Sequence, residues 1–382
     1  MKIRTICLCG LCSIVVTGNT YASNGAQLTG YGAKSAAMGG ASVAFPQDSM
    51  AAATNSAGMA EVGTRVDGDI QLLYDHSNTT FLSEDNKGKG TVIIPIPEFG
   101  INYQLDDKWT LGFATKGSGL GFKYDDPLLP IPGLKKAKGS FIQVVGLPTL
   151  GYKVNDQLSV GVSLALAAQR FRAQGIPTAT GGEIPSHSYQ MAYGVGWQAG
   201  VLWKANDYLS FGAAYASKIH MSKLDGYKDD LLAAADGSID VPEQYSFGLA
   251  IKPTEKLTFA LDWQHIAWDN VASFHRLFAW RSQDVYRAGV AYQFNDEWTV
   301  RTGVSYARRQ FDSDDTAANI LLVGINSNAA SFGLTKTFHG GSELTLGYEY
   351  DFGSTSKGTG PSAGSSIDTD FGFLTVGYGW KF

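Results

Sequence analysis

Apolar and polar residues alternate with a period of two along most of this chain, and short polar turns of one recurring pattern interrupt the alternation. Six segments carry it: 103–112, 152–161, 203–212, 251–260, 292–301 and 336–347. Each runs from an alternating stretch into a turn rich in Asn, Asp, Thr or Gly and restarts on Leu or Trp followed by Ser or Thr. These turn residues take the tight backbone conformations that reverse a strand, so each segment reads as a hairpin. Extending outward from the six predicts strands near 65–76, 98–105, 109–116, 141–154, 158–172, 189–204, 209–219, 243–252, 257–268, 285–294, 298–309, 329–338, 343–352 and 370–382, fourteen in all. Six short turns then alternate with seven longer connections, 77–97, 117–140, 173–188, 220–242, 269–284, 310–328 and 353–369. Hairpins in series with a long connection at every second link are the signature of an all-β, antiparallel transmembrane barrel. The short turns should face the periplasm and the long loops the exterior, with both barrel ends on the periplasmic side.

The alternation also assigns faces. From Leu158 onward, Val160, Val162, Leu164 and Leu166 share one parity and should meet lipid, while Ser159, Gly161, Ser163 and Gln169 share the other and should line the lumen. Arg170 and Arg172 fall on the lipid parity beyond the apolar band, at the outer rim near anionic headgroups. The same rule puts Arg65, Asp67, Asp69, Asp262, Arg287, Arg301, Glu349 and Asp351 inside, where a network of paired charges is expected. In the last strand Leu374, Val376, Tyr378, Trp380 and Phe382 alternate with small or polar residues and finish on a terminal aromatic. That ending resembles the signal read by the outer-membrane barrel assembly machinery.

Residues 1–22 fit a secretory signal: Lys2 and Arg4, an apolar run from Ile6 to Val16, then Thr20, Tyr21 and Ala22 before a cleavage site. Cys7, Cys9 and Cys12 all lie in that segment, so neither a disulfide framework nor a thiol site is expected after it. Without Lys2 and Arg4 the formal charge moves from −5 to −7, which argues against nucleic acid as a partner. No later stretch offers the roughly 18 apolar residues of a spanning helix. The 46 Gly, 18 Tyr, 20 Phe and 8 Trp suit small lumen-facing positions and interfacial aromatic girdles better than a soluble β-sandwich.

Residues 23–63 are not strand-like. Rich in Gly and Ala, they permit close backbone packing, with short helical turns starting at Asp48, and they suit a plug filling the wide lumen ahead of the barrel at 64–382. Gly30 to Ser35 has the outline of a phosphate-binding loop, but Ala33 stands where Gly must precede the Lys and no strand leads into it. Met38 to Ala41 (Met-Gly-Gly-Ala), Gln47 with Asp48, and Asn55, Ser56, Ala57 continuing to Gly58 and Met59, resemble the N-terminal hatch of the FadL/TodX family of outer-membrane transporters of long-chain fatty acids and hydrocarbons. The family motif has Asn-Pro-Ala where this chain has Asn55-Ser56-Ala57; Asn and Ser can still form the turn.

The resemblance implies a monomeric outer-membrane barrel of a Gram-negative bacterium, surrounded by lipid and lipopolysaccharide. It would capture a hydrophobic solute at its outer surface, pass it to an internal pocket and release it sideways at an inward kink in the third strand. Gly117, Gly119 and Gly121 are the candidates for that kink. The apolar loop with Leu128, Leu129, Ile131 and Leu134 is the candidate outer groove, packing of loops on one another being the alternative. Leu28, Tyr31, Phe371 and Phe373 are the candidate pocket, and Lys34, Arg287 and Arg301 are the cations open to a carboxylate-bearing substrate. A porin-like channel for small polar solutes uses the same wall with an open lumen, and an adhesive barrel presenting its loops uses it too. His187, His265 and His275 lie at or near loops with no nucleophile elbow or carboxylate pair beside them, so no enzyme, cofactor or metal is expected.

Overall fold

The computed structural model describes residues 24–382 apart from 84, 179, 180, 326 and 327, so the expected signal at 1–22 lies outside the described residues. Among these, fourteen long strands form the wall: β1 (Arg65–Thr80), β2 (Lys87–Gln104), β3 (Trp109–Lys123), β4 (Lys138–Lys153), β5 (Leu158–Gln174), β6 (Gln190–Asn206), β7 (Leu209–Ala216), β9 (Gln244–Thr254), β10 (Leu257–Ile266), β11 (Gln283–Gln293), β12 (Trp298–Ala307), β13 (Asn328–Thr337), β14 (Ser342–Lys357) and β15 (Ser366–Lys381). The two-residue β8 (His220–Met221) caps the outer end of β6. Every neighbouring pair is antiparallel; β5 pairs with β6, and β1 pairs with β15 over its whole length, so the sheet closes.

The repeated Asn and Asp of the turns do one job in four of the six. Asp106 Oδ1 accepts from the amides of Lys108 and Trp109 (2.8 and 2.7 Å), and Asn155 Oδ1 from those of Gln157 and Leu158 (2.9 and 2.8 Å). Asn206 and Asn295 repeat the bond to the residue two further on. A side chain that satisfies the turn's own amides ends one strand and starts the next without help from elsewhere.

The predicted parity holds along the wall. Val162, Leu164 and Leu166 are exposed on the outside, Val160 is half-buried, and Ser159, Ser163 and Gln169 are buried within. Rings close the band near the short turns, with Trp109 on Tyr152 (centroids 4.4 Å apart) and Trp203 stacked on Phe211 (5.6 Å). The Arg170 and Arg172 guanidinium groups lie over the Tyr189 ring at the outer rim.

Several boundaries differ from expectation. The connections expected at 77–97, 117–140 and 353–369 are shorter, their ends belonging to the wall: β1 and β2 run on to leave only 81–86 between them, β3 continues to Lys123, and β14 to Lys357. Polar composition misleads there, because outer strand ends facing water lose the apolar parity while keeping their ladder. β7 instead stops at Ala216, three residues early. The connections at 269–284 and 310–328 hold helices, α2 (Ala272–Phe278) and α3 (Thr316–Asn319). Trp268, Phe274 and Trp280 form a buried aromatic knot in this outer layer, Phe274 stacked on Trp280 at 4.5 Å.

Residues 24–63 lie inside the barrel. They contain α1 (Ala33–Ala36) and two 3-10 turns, Ala51–Ala53 and Ser56–Glu61, and nearly all are buried. Asn55 caps the second turn, its Oδ1 accepting from the Ala57 amide (3.0 Å) while its Nδ2 donates to the carbonyls of Val43 (2.9 Å) and of Val201 on β6 (3.1 Å). Wall carboxylates accept from the segment's backbone: Asp262 from Ser42 and Val43, Asp67 from Ser49, and Glu98 from Gly32, at 2.6–2.9 Å. Lumen-facing glycines let the backbone approach this closely: a Cβ on Gly200 would sit 1.9 Å from Asn55 Oδ1, and one on Gly303 2.0 Å from the Met38 carbonyl carbon.

Candidate functional site

One seam of the wall is only partly laddered. β2 and β3 pair from Gly100 with Ala114 down to Gln104 with Thr110, five residues a side, although each continues far beyond, laddered to β1 and β4 respectively. Two features of β2 account for this. In an antiparallel strand the N–H and C=O of one residue point to the same neighbour, and successive residues alternate. Phe99 turns its polar groups toward β3, where the Thr115 hydroxyl receives its amide (2.8 Å) and donates to its carbonyl (3.2 Å). Pro97 and Pro95 share that parity and have no N–H to offer, so the ladder loses two donors immediately beyond Phe99. Across the seam, Gly117, Gly119 and Gly121 present no side chains on the outward parity, and Ile96 reaches over so that a Cβ on Gly117 would lie 3.1 Å from its Cγ2. The register of β3 against β4 runs unbroken through these glycines to Lys123.

The N-terminal segment uses the donor that β2 leaves free. The Gly119 amide donates to the Ala26 carbonyl (2.9 Å), and Gln27 forms an antiparallel bridge with Ser118. Behind the seam lies a cavity of about 160 Å³, predominantly apolar. Leu28, Leu73, Ile94, Ile96, Leu120, Phe141, Val323, Phe371 and Phe373 give it its character, with the carboxylates of Asp75 and Asp351 flanking Phe371 on the two strands that pair with β15. Phe371 and Phe373 meet edge to face at 6.0 Å.

The structure therefore brings Leu28, Gly117, Gly119, Gly121, Phe371 and Phe373 to one cavity and leaves the other candidates outside it. Tyr31 is buried and borders a smaller chamber of about 30 Å³ next to it. Lys34 is held by Glu343 (2.6 Å), which also accepts from Arg65 (2.8 Å); Arg65 grips Asp67 with two nitrogens at 2.6 and 2.7 Å. Burial pushes the Lys34 ammonium below its ordinary range, Arg65 adds to that, and Glu343 and Asp48 oppose it. Arg287 and Arg301 depart from the expected network of paired charges. Arg287 donates to Gln264 (2.8 Å) and Arg301 to Gln47 (2.7 Å) and Thr335 (2.6 Å), neutral oxygens rather than carboxylates, and the buried Arg287 Nε has no hydrogen-bond partner. Among the described residues lining the large cavity there is no Lys, Arg or His.

In the loop at 124–137, Leu128 and Leu134 are buried and Leu129 and Ile131 half-buried. Leu128 joins the apolar cluster that includes Trp268 and Phe141, so this part of the segment packs into the outer layer. Asn55, Ser56 and Ala57 sit deep in the lumen, the Ser56 hydroxyl 2.7 Å from that of Ser163.

Sequence reasoning missed Lys116, Pro95, Pro97, Ile94, Ile96 and Asp75. Lys116 lies on the lumen parity of β3 with Thr110, Gly112 and Ala114, so the rule that placed the other charges inside would have found it. The Pro-Ile-Pro of β2 escaped because it lay in a stretch taken for loop.

Comparison with known proteins agrees with this geometry. Residues 13–382 match the family described as outer membrane protein transport protein (OMPP1/FadL/TodX). A long-chain fatty acid transport protein of Escherichia coli O6:H1 is 22% identical over 319 residues, 74% of this chain and 70% of that protein. Two crystal structures share the fold: the P. putida toluene transporter TodX (TM-score 0.71, 18% identity, 93% of this chain and 99% of that one) and a Pseudomonas aeruginosa FadL homologue (0.69, 17%, 94% and 100%). The chain belongs to the OMPP1/FadL/TodX family of outer-membrane transport proteins, and its barrel is a Gram-negative outer-membrane one.

Proposed function

We propose that this barrel carries hydrophobic compounds, long-chain fatty acids or aromatic or aliphatic hydrocarbons, across the outer membrane by a passive, non-catalytic route. The observation that supports this best is the apolar cavity opening on the interrupted β2–β3 seam, with the N-terminal segment bonded to the free edge of β3. An apolar solute has little to gain in a water-filled pore and much to gain in a dry groove leading to hydrocarbon.

In this reading residues 1–22 are a removed signal, 23–63 a plug and 64–382 the wall. The solute is gathered at the outer loops, with Leu129 and Ile131 on the exposed side of the loop layer, and enters the cavity between Leu28 and Phe373. Retreat of Ala26 and Gln27 frees the edge of β3, and the solute leaves sideways past Ile96 and Gly117 into the membrane, the seam itself serving as the kink. The protein works as a monomer in lipid and lipopolysaccharide, and its last strand, ending at Phe382, engages the barrel assembly machinery. The test is uptake of labelled fatty acids, alkanes and aromatics by cells with and without the gene. Faster uptake of at least one class is expected, and no difference for any of them overturns the proposal.

A further inference from the structure

The small chamber beside the cavity contains a charge without a counter-ion. Lys116 is buried on β3, and its ammonium donates to Gln244 Oε1 (3.0 Å), an oxygen that also receives Gln264 Nε2 (2.8 Å). No carboxylate of the described residues lies within ion-pair distance of it, and the face of the Tyr31 ring lies 5.1 Å away. The Tyr31 hydroxyl is buried as well and has no hydrogen-bond partner. Burying an ammonium and leaving a phenol unbonded are both costly, and both groups border the same chamber. Gln27, Ser118 and Gln143 border this chamber and the apolar cavity alike, which sets the two side by side.

We propose that Lys116 and Tyr31 form an anion-binding subsite for a carboxylate whose apolar stem fills the neighbouring cavity, and that the preferred substrate is a compact aryl carboxylate. This rests on the transport reading above and names the substrate of that site. Lys116 orients the ligand, drawing an anionic head into the small chamber while the large cavity takes the apolar stem. Size sets the class. A dry apolar cavity of about 150 Å³ accepts benzene, so about 160 Å³ suits one aromatic ring with a short linker, whereas most of a long acyl chain would have to extend beyond it. The small chamber, about 30 Å³, has room for about two water-sized positions, enough for the two oxygens of a carboxylate. Lys116 donates to one oxygen and the Tyr31 hydroxyl to the other, so both unsatisfied groups gain a partner on binding.

The test is equilibrium binding to the purified full-length barrel, read by calorimetry, with 3-phenylpropanoate, its uncharged analogue 3-phenylpropan-1-ol, and palmitate. The wild type should bind the carboxylate about tenfold or more tightly than the alcohol, as a charge-assisted bond in a desolvated site requires, and more tightly than palmitate. Lys116→Met should erase the preference for the carboxylate while keeping affinity for the alcohol, Lys116→Arg should retain it, and Tyr31→Phe should reduce it. Retained alcohol binding and the unchanged heat-modifiable gel mobility of a folded barrel show that the variant is intact. Equal affinity for acid and alcohol in the wild type, tighter binding of palmitate, or an unaltered preference in Lys116→Met overturns the proposal. Uptake assays separate the two readings: carboxylate selectivity in binding without uptake of any apolar compound overturns transport and leaves the subsite standing, and uptake without that selectivity does the reverse.

Discussion

At the level of single residues, the contacts that matter are those that hold the N-terminal segment in the lumen. Asn55 makes three of them, two to its own segment and one to the wall, and each is worth about 1 kcal/mol. Asn55→Ala should weaken docking of the segment by about 2–3 kcal/mol, seen as faster amide exchange of residues 42–60 with the barrel's own exchange unchanged. Gly200→Val places its side chain on Asn55 and should displace the same segment. Glu61 gives docking a pH dependence. Burial would raise its carboxyl, but hydrogen bonds from Lys204 and Ser159 and the Lys204 charge outweigh that and hold it below its ordinary value. A depressed carboxylate contributes stability above its unfolded pKa, about 4.3, and loses it as the pH falls through the folded value. Conductance across planar bilayers should therefore rise as the pH falls below about 4; a flat profile between about pH 5 and pH 3 would count against this contact as a latch.

At the level of elements, the seam between β2 and β3 is where sequence and structure part company most. The glycines of β3 were visible, but an alternation of Gly with Leu and Phe says equally well that a strand is ending or that it is bending. Pro95 and Pro97 explain why the ladder to β3 stops only when β2 is known to run past them and Phe99 is known to face β3. Closing the seam should stop transport. Ile96→Cys with Gly117→Cys should form a disulfide there, since the two side-chain positions nearly touch and residues 13–382 contain no other cysteine. Uptake should fall to the background of cells lacking the gene and return on reduction. Pro95→Val with Pro97→Val restores two donors and should slow uptake several-fold; unchanged uptake in both variants would mean that the solute leaves by another path.

At the level of the whole molecule, fourteen strands enclose a lumen that residues 24–63 fill. Deleting residues 24–60 should turn a nearly closed barrel into one with large, steady single-channel conductance, and large conductance of the intact protein would instead point to an open pore. The strand number, the closure and the inside–outside assignment were legible in the sequence. A two-residue side-chain period and a self-sufficient Asx turn are local properties, and any chain that keeps them in lipid must close its sheet to satisfy its backbone. The small-residue composition of the N-terminal segment likewise marked it as something packed against backbone. The pairing of Lys34 with Glu343, 309 residues away, the retirement of Arg287 and Arg301 onto neutral partners, and the isolation of Lys116 were not legible. A charge pattern read along one strand says which face a residue takes and nothing about which neighbour arrives from the opposite wall or the plug. The sequence alone determined a plugged antiparallel barrel, because local periodicity and turn chemistry suffice for that. Only the tertiary structure decided which seam stays open and which cation stays unpaired, because both depend on partners that folding brings from distant strands.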